Sequence, residues 1–264
     1  FRKEGKYTDK RHPDKITFAE TIEEDLARRD FTVNAIASEI SGKKLVDPFG
    51  GEADLKKKLI RAVGDPNERF EEDALRVLRA VRFSAQLGFK IEEKTASAVK
   101  KSAGLLEFIS KERIRDEFSK TLVTENAAEG VTKLQEFGIL KKILPELEEG
   151  VGVGQNKHHI FTVFEHNRRS LEYAAQKNFP LDLRLASLLH DVGKPQTKQG
   201  EGLDCTFYGH QVVGEKIVLK IMDRLRYPKE MTEKVALLVR EHMFVYDPET
   251  VTLKGVRRLL RRVG

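Results

Sequence analysis

The sequence predicts a mainly α-helical protein, on the basis of three observations. Over most of the 264 residues, apolar side chains recur at intervals of three and four, the spacing that lines one face of a helix. Segments that favour a strand are few and short, at 15–19, 44–46 and 204–208. Hydrophobic residues make up 39% of the chain and charged residues 34%, a balance typical of folded soluble proteins.

The first part of the chain contains the weakest helical pattern. Residues 1–15 are strongly charged, and we expect them to form a basic loop. Thr21 followed three residues later by Glu24 matches a capping box, so a helix is predicted to begin after Thr21 and to end at Gly42. A turn is predicted at 45–51, where proline and glycine follow a short apolar run.

From Phe70 onward the helical pattern is regular. One apolar stripe consists of Phe70, Ala74, Val77, Val81 and Ala85. This spacing predicts a single helix that begins near Phe70 and ends at Gly88. Further helices are predicted at 94–106, 111–124, 128–137, 161–176, 181–190, 210–225, 232–242 and 254–262. The glycine-rich stretch at 151–155 resembles a junction, so a domain boundary is expected near 145–155.

Charge and cysteine content exclude several classes of protein. Lys and Arg total 48 and Asp and Glu total 42, and the net charge of +6 permits a polyanionic partner such as RNA. A single cysteine, Cys205, excludes an intrachain disulfide and a cysteine-based zinc site. No apolar run approaches the ~18 residues of a membrane span. We therefore expect a cytoplasmic protein without a membrane partner.

One charged motif in the first half has a spacing suited to a nucleotide. It consists of Arg28, Arg29 and Asp30 with Asn34. On the predicted helix, Asp30 and Asn34 share one face, and the guanidinium groups beside them match phosphate oxygens bidentately. A solvated charged face of a helix has the same spacing, so the pattern alone leaves both interpretations open.

A second charged motif begins at Glu72. Asp73 and Arg76 lie three residues apart, which on one helix places an acceptor beside a planar donor, the arrangement that reads the edge of a base. Arg79 and Arg82 follow, opposite the apolar stripe. The alternative is an ordinary ion pair within a helix, worth about 0.3–0.5 kcal/mol.

Taken in order, these motifs resemble those of bacterial class II tRNA nucleotidyltransferases and poly(A) polymerases. The runs that carry the resemblance are EEDLARRDFTVNAIA, LVDPFGGEADLKKKLIRAVGDPNERFEEDALRVLRAVRFSAQLGF and KERIRDE. The resemblance implies that Arg29 and Asp30 contact the ribose and phosphates of the incoming nucleotide. It implies that Asp73 and Arg76 form a protein template for the base, with Arg79 near the phosphates.

The resemblance also implies a domain organisation. It predicts the C-terminal part of a small mixed α/β nucleotidyltransferase head at 1–62, a helical neck and body at 63–150, and an all-α domain at 151–264. The hinge motif of the family matches Asp47, Gly50 and Gly51, and a motif that braces the templating helix matches Glu112, Arg113 and Glu117. The catalytic carboxylates of the family lie upstream of the charged loop, so we assign no catalytic residue and expect a longer natural chain.

The implied activity is the addition of CCA, or of its terminal A, to the 3′ end of tRNA from CTP and ATP with Mg²⁺. A poly(A) polymerase has the same motifs and remains an alternative, as does a catalytically inactive RNA-binding remnant. The loop at 2–11 resembles a flexible loop associated with A addition, which argues against addition of CC alone. The sequence gives no prediction of the oligomeric state.

A separate set of residues in the second half suits a metal ion. The set consists of His166, His190, Asp191, His210 and His242. Several of these histidines interrupt or end apolar helices, where an unpaired imidazole is costly. Imidazole and carboxylate groups suit a divalent transition metal, or Mg²⁺ if water completes its shell.

The run HDVGKP, followed by GH and EH, resembles the HD superfamily of metal-dependent phosphohydrolases. The resemblance implies that the five residues above bind the metal, with His242 the weaker member. An HD phosphodiesterase or phosphatase that acts on nucleotides or RNA ends is therefore a further alternative. Lys194 is placed to hold a phosphate. His158 and His159 are either extra ligands or, in the favoured interpretation, loop residues, and Asp247 is a poor match to the distant aspartate of the superfamily.

Two basic runs lie on predicted helix faces. They are Lys56–Lys58 with Arg61, and Arg257–Arg258 with Arg261 and Arg262. Such runs are usually solvated, but on an RNA-binding protein they contact phosphates without reading sequence.

Overall fold

The computed structural model describes residues 2–4, 16–40, 42, 44–156, 160–244 and 251–263. The chain forms two compact units, Phe1–Ile143 and Leu144–Gly264. Helices dominate both units, which confirms the predicted mainly α-helical class. His158, His159, Asp247 and most of the predicted basic loop lie outside the described residues.

The N-terminal unit combines helices with three small two-stranded sheets in its described part. Its elements are β1 (Arg2–Glu4), β2 (Ile16–Phe18), α1 (Ile22–Ala27), β3 (Ala37–Ser38), β4 (Leu45–Val46), α2 (Gly51–Lys57), β5 (Leu59–Ile60), α3 (Pro66–Glu72), α4 (Leu75–Leu87), β6 (Lys90–Ile91), α5 (Glu93–Ser102), α6 (Lys111–Leu122), α7 (Ala127–Glu136) and α8 (Leu140–Ile143). Strands β1 and β2, and β3 and β4, pair antiparallel, whereas β5 and β6 pair parallel. Helix α4 packs against α6 and α7 at the centre of the unit.

All the named elements of the C-terminal unit are helices in its described residues. Its elements are α9 (Pro145–Glu148), α10 (Val163–Gln176), α11 (Leu181–Leu189), α12 (Lys194–Thr197), α13 (His210–Arg224), α14 (Lys229–Glu241) and α15 (Leu253–Val263). Helix α11 packs against α10 and α14, and α14 packs against α13. The strand predicted at 204–208 is wrong, because only an isolated bridge between Gln199 and Thr206 forms there.

The helix predicted from Thr21 to Gly42 is much shorter than expected. Thr21 caps it as predicted, since the Thr21 hydroxyl accepts from the Glu24 amide at 3.3 Å, but α1 ends at Ala27. Beyond it, backbone hydrogen bonds to a distant segment replace helical ones. The Thr32 amide donates to the Arg61 carbonyl at 2.9 Å, and the Val63 amide donates to the carbonyl of Asp30 at 3.1 Å. Tertiary pairing therefore overrides the local pattern.

The apolar stripe is buried, but the single helix predicted for it is wrong. Each of its five members is at most 1% exposed. Helix α3 ends at Glu72, Asp73 adopts an extended conformation, and α4 begins at Leu75. The Asp73 carboxylate accepts from the Leu75 amide at 3.1 Å, so it stabilises the start of the new helix. Helix α4 then ends at Gly88 as predicted, in a left-handed conformation with φ of +66°.

The predicted hinge motif forms the start of α2. The carboxylate of Asp47 accepts from the amides of Gly51 and Glu52 at 2.7 and 2.9 Å. A Cβ atom on Gly51 would lie 2.2 Å from the Thr32 carbonyl oxygen, so only glycine permits this approach. The segment that carries Asp30 is thereby held against α2.

Candidate nucleotide site and candidate metal centre

The carboxylate of Asp30 is the most heavily used acceptor of the first motif. Asp30 is 8% exposed, and its Oδ1 atom accepts from the Phe31 amide at 2.9 Å and from Asn34 Nδ2 at 3.2 Å. Its Oδ2 atom accepts from Arg79 Nε at 2.7 Å. Asp30 and Asn34 therefore meet as predicted, although a bend and a short 3₁₀ helix bring them together instead of an α-helix.

The two arginines before Asp30 share a buried carboxylate. Asp25 is 5% exposed and accepts from Arg28 Nε and an Arg28 terminal nitrogen at 3.0 and 2.7 Å. An Arg29 terminal nitrogen lies 3.1 Å from the other Asp25 oxygen. The Arg29 side chain is 45% exposed, so its outer N–H groups are accessible to an anion.

The base-reading pair has a different arrangement from the predicted one. Arg76 is 7% exposed, and its guanidinium donates to Glu72 at 2.5 Å and to the carbonyls of Arg69 and Arg28 at 3.0 and 3.2 Å. Asp73 lies in the break between α3 and α4 and accepts from Arg113 at 2.8 Å. The prediction that Asp73 and Arg76 share one helix face is therefore wrong, and both side chains already form hydrogen bonds with other protein groups.

Helix α6 contacts α4 through one buried acid. Glu117 is 3% exposed, and Arg82 Nε lies 2.6 Å from one of its carboxylate oxygens. Lys120 and Arg79 lie 3.2 and 3.9 Å from the other oxygen. These contacts agree with the bracing position that the sequence motif implies. They leave Arg79 31% exposed, held between Asp30 and Glu117.

Together these contacts join motifs that are distant in sequence. Arg76 connects the end of α3 to the Arg28 carbonyl, and Arg79 connects α4 to Asp30. The partly exposed guanidinium groups of Arg29 and Arg79 lie at this junction. Chemically, the arrangement offers two fork-shaped cations for phosphate and a buried acid–base network behind them.

The five predicted metal ligands of the second half converge on one point. Asp191 is 2% exposed, and its Oδ2 atom lies 3.2 Å from His190 Nε2 and 3.5 Å from His166 Nε2. Its Oδ1 atom lies 3.2 Å from His210 Nε2 and 3.5 Å from His242 Nε2. Each carboxylate oxygen thus faces two imidazole nitrogens.

Backbone carbonyls set the orientation of three of the rings. The Nδ1 atoms of His190, His210 and His242 lie 2.8, 2.8 and 2.7 Å from the carbonyl oxygens of Ser187, Phe207 and Val239. Because a carbonyl only accepts, each Nδ1 carries a proton. Without a metal ion, a second proton on Nε2 is donated to Asp191. Loss of that proton leaves a lone pair that can bind a cation.

The distances fit a divalent cation. Two ligand atoms that are each about 2.1 Å from one ion lie about 3 Å apart, close to the separations around Asp191. Two groups share Asp191, one with His166 and His190 and the other with His210 and His242, and within each group the ligand atoms all lie within 4.8 Å of one another. The donor set of imidazole and carboxylate suits a transition metal.

Asp191 is strongly stabilised as the anion. Burial alone raises the pKa of its carboxyl, but the adjacent His190, His210 and His242 side chains outweigh burial, and the pKa lies far below its usual range. The Lys194 ammonium also lies 2.7 Å from Asp191 Oδ2. Asp191 is therefore ionised at neutral pH.

Lys194 is buried and already paired. It is 7% exposed, and Nζ also donates to Gln155 Oε1 at 2.7 Å. Gln155 is 5% exposed and donates from Nε2 to the Phe161 carbonyl at 3.0 Å. Sequence reasoning missed Gln155, because it ends the glycine-rich stretch that resembles a junction. No sequence pattern indicates that Gln155 contacts Lys194 of the HDVGKP motif. The contact is evident only in the folded structure.

A cavity of about 360 Å³ adjoins the centre. Its other lining residues include Asn156, Thr206, Tyr208 and Met243. Tyr208 is 81% exposed at this cavity. The volume lies within the ordinary range for small-molecule sites, about 300–1,000 Å³. The predicted metal ligands therefore line a cavity large enough for a small molecule.

Comparison with known proteins agrees with both family resemblances. Residues 1–61 match the family model "Poly A polymerase head domain", and 88–150 match "Probable RNA and SrmB- binding site of polymerase A". Residues 157–261 match the HD domain. The class is thus a polymerase-type nucleotidyltransferase fold followed by an HD domain. Over these residues the chain is similar to the tRNA nucleotidyltransferase and poly(A) polymerase family.

Two similar proteins with curated names were compared with this chain. An A-adding tRNA nucleotidyltransferase of Deinococcus radiodurans is 41% identical over 239 residues, covering 87% of this chain and 54% of the relative. A CCA-adding enzyme of Lactobacillus helveticus is 57% identical over 120 residues, which is 46% of this chain and 30% of that enzyme. The chain spans about half the length of the first of these relatives.

Solved structures show the same fold. The CCA-adding enzyme of Bacillus stearothermophilus in complex with CTP aligns with a TM-score of 0.61 and 28% identity, over 94% of this chain and 54% of that one. A CCA-adding enzyme in apo form II aligns with a TM-score of 0.64 and 25% identity, over 98% of this chain and 56% of that one. Among the helices that the structure describes, none is long and apolar enough to cross a membrane.

Proposed function

We propose that this protein adds nucleotides to the 3′ end of tRNA, either CCA or its terminal A, using CTP and ATP. The proposal rests on two contacts that join the Arg-Arg-Asp motif (residues 28–30) to α4. Arg76 donates to the Arg28 carbonyl, and Arg79 donates to the Asp30 carboxylate. The proposal is supported by 41% identity over 239 residues to a relative named as an A-adding tRNA nucleotidyltransferase.

Each residue of this network has a proposed role. The partly exposed guanidinium groups of Arg29 and Arg79 bind the triphosphate, and Asp30 orients the ribose while it holds Arg79. Asp73 and Arg76 contact the edge of the base. For this, the hydrogen bond from Arg113 to Asp73 and the hydrogen bond from Arg76 to Glu72 must break, so that Asp73 and Arg76 can bond to the nucleotide. Selection of the base thus depends on a rearrangement of protein side chains around the break between α3 and α4.

The reaction itself transfers a nucleotidyl group. The 3′-hydroxyl of the tRNA attacks the α-phosphate of the nucleotide, and pyrophosphate leaves. Mg²⁺ supplies charge neutralisation at the transferred phosphate when it is bound by acidic residues, and we assign that role to no residue of this chain. The residues described here hold the nucleotide against the primer end and compensate the charge of its phosphates.

We also propose the division of the chain into three parts and a cytoplasmic location. Residues 1–62 would complete part of the head, 63–150 the neck and body, and 151–264 the HD domain. The family models, which match 1–61, 88–150 and 157–261, support this division. A tRNA substrate is consistent with a cytoplasmic protein.

A second candidate function belongs to the histidine cluster. A divalent cation held by His190, Asp191 and the neighbouring histidines would polarise a phosphoryl oxygen and activate water, as in metal-assisted phosphate hydrolysis. The adjoining cavity and the buried Lys194 favour a phosphorylated substrate, such as a nucleotide or an RNA end. This activity would exist beside the transferase, because the two sets of residues are separate.

The transferase proposal is tested with tRNA transcripts. Transcripts that end before CCA, after one C and after CC are each offered with labelled CTP or ATP and Mg²⁺ to the protein that contains this chain. Addition of C and then A identifies a CCA-adding enzyme, A alone after CC an A-adding enzyme, and long A tracts a poly(A) polymerase. No incorporation on any transcript contradicts the proposal.

The second candidate is tested separately. Bis(p-nitrophenyl) phosphate hydrolysis is measured with Mn²⁺ for the unmodified protein and for His190→Ala. A loss of hydrolysis in the variant, with tRNA addition unchanged, supports a phosphohydrolase at the histidine cluster. Equal hydrolysis by both proteins places the activity elsewhere.

A further inference from the structure

Helix α15 carries nearly all of the net positive charge of the chain. It contains Lys254, Arg257, Arg258, Arg261 and Arg262 and no acidic residue, so its formal charge is +5, against +6 for all 264 residues. The arginines of α4 differ in this respect, because acidic side chains pair with them. The basic character of this protein is therefore concentrated on one helix.

The five cations share one side of the helix. At 100° per residue, they fall within an arc of about 140°, and the leucines and valines occupy the opposite arc. Arg257, Arg258 and Arg261 are exposed. Within the described residues, the only ion pair of this basic arc joins Arg262 to Glu241, at 2.6 Å. Four of the five charges thus face outward without a compensating acid among those residues.

We infer that this basic face of α15, defined by Lys254, Arg257, Arg258, Arg261 and Arg262, binds the phosphate backbone of RNA. Four of its five cations are arginines, whose planar forks match phosphate oxygens and which suit nucleic-acid contact better than lysine. Contacts of this kind raise affinity without reading sequence. The inference rests on the proposed function, because the RNA in question is the tRNA substrate.

The apolar side of the helix favours RNA over a lipid surface. An interfacial membrane helix leaves its whole apolar face free to insert. In α15, Val256 and Leu259 are already half-buried, whereas Leu253 and Leu260 are 75% and 55% exposed. Part of the apolar arc is thus engaged by the protein, while the basic arc is open.

The test measures tRNA affinity over a range of KCl concentrations. The variant Arg257→Gln/Arg258→Gln/Arg261→Gln is compared with the unmodified protein by fluorescence anisotropy with a labelled tRNA that lacks CCA. A matched control, Lys216→Gln/Lys220→Gln/Lys229→Gln, removes the same charge from α13 and α14. Circular dichroism verifies that all three proteins are folded.

We expect the arginine variant to bind at least about tenfold more weakly at 0.1 M KCl and its log–log salt slope to fall by about 3. The control should change far less. Equal losses in both variants would overturn the inference, since only total charge would then matter. Unchanged tRNA affinity in the arginine variant would also overturn it, and flotation of the unmodified protein with phosphatidylserine vesicles would then assign the face to lipid. An unmodified protein that binds no tRNA would instead contradict the proposed function itself.

Discussion

The Arg79 guanidinium binds the carboxylate of Asp30 across 49 positions of the chain. Nε and a terminal nitrogen of Arg79 lie 2.7 and 2.5 Å from the same oxygen, Asp30 Oδ2. The other oxygen of Asp30 accepts from its own local segment. Asp30 therefore joins the Arg-Arg-Asp motif to α4. The geometry of the proposed nucleotide site depends on this ion pair.

Substitution of Asp30 tests that dependence. Asp30→Asn keeps the size of the side chain but removes the charge that holds Arg79, so we expect the ATP dissociation constant to rise by at least about tenfold, as for a lost charge-assisted hydrogen bond. Isothermal titration measures it. Asp116→Asn is the control, because Asp116 is a 52% exposed partner of Arg115 and should leave ATP affinity unchanged. Normal ATP affinity in Asp30→Asn would show that this ion pair does not shape the site.

Removal of a histidine tests the metal centre. His210→Ala deletes an Nε2 ligand atom 3.2 Å from Asp191 Oδ1, so affinity for Mn²⁺ should fall by at least about tenfold in a calorimetric titration. Lys216→Ala is the control, because Lys216 is an exposed residue of the same helix, α13, and is not among the predicted ligands. If His210→Ala binds Mn²⁺ as the unmodified protein does, the cluster around Asp191 is not the metal site.

The acidity of Asp191 predicts how metal binding depends on pH. Its pKa lies far below the usual range, so the carboxylate stays ionised from pH 8 down to pH 4 and contributes no pH dependence there. Histidine ligands must be neutral to bind a metal ion, so Mn²⁺ affinity should rise as the pH increases from about 5 to about 8. A titration series at constant ionic strength measures this. Constant affinity across the range would exclude imidazole ligands.

The ion pair between Glu146 and Arg224 predicts an acid-sensitive stability of the C-terminal unit. Burial raises the pKa of Glu146, but the hydrogen bond from Arg224 outweighs it and the pKa lies below the ordinary 4.5. A carboxylate with a lower pKa in the folded state stabilises the fold at pH values above its unfolded-state pKa. This stabilisation is lost as the pH falls through the folded-state pKa. Glu146→Gln should therefore cost about 1–2 kcal/mol at pH 7, and the difference should shrink as the pH falls below 4.5 and through the folded-state pKa. Urea denaturation at pH 7 and at a series of pH values below 4.5 measures it, with the exposed Glu233→Gln as control.

Sequence reasoning succeeded where the signal was a recurring residue type at fixed spacing. The buried stripe from Phe70 to Ala85 follows directly from helical periodicity, and the cap at Thr21 from local hydrogen bonding. The convergence of the five predicted metal ligands follows from the resemblance of the order HD, GH and EH to the HD superfamily. These features depend on short-range geometry or on chemistry that few residues can perform.

It failed where tertiary contacts redirect the backbone or a side chain. The break at Asp73 is invisible in the apolar pattern, because Ala74 continues the stripe across it, and only the contact with Arg113 reveals it. The early end of α1 depends on backbone pairing with the segment around Arg61. Gln155 becomes a partner of Lys194 only in the folded unit. A single sequence contains little information about such long-range contacts.

Nucleotide selectivity tests whether Asp73 and Arg76 form the template for the base. The protein is titrated with ATP, CTP, GTP and UTP, and the same series is repeated with Arg76→Ala and with the control Arg115→Ala, which removes a partly exposed arginine of α6 that pairs with Asp116. We expect ATP and CTP to bind at least about tenfold more tightly than GTP and UTP, because a site that hydrogen-bonds a base edge rejects a mismatched one. Arg76→Ala should remove most of this difference while tRNA affinity stays near that of the unmodified protein. Equal affinity of the unmodified protein for all four nucleotides, or an Arg76→Ala variant that keeps its selectivity and loses tRNA binding, would contradict the template.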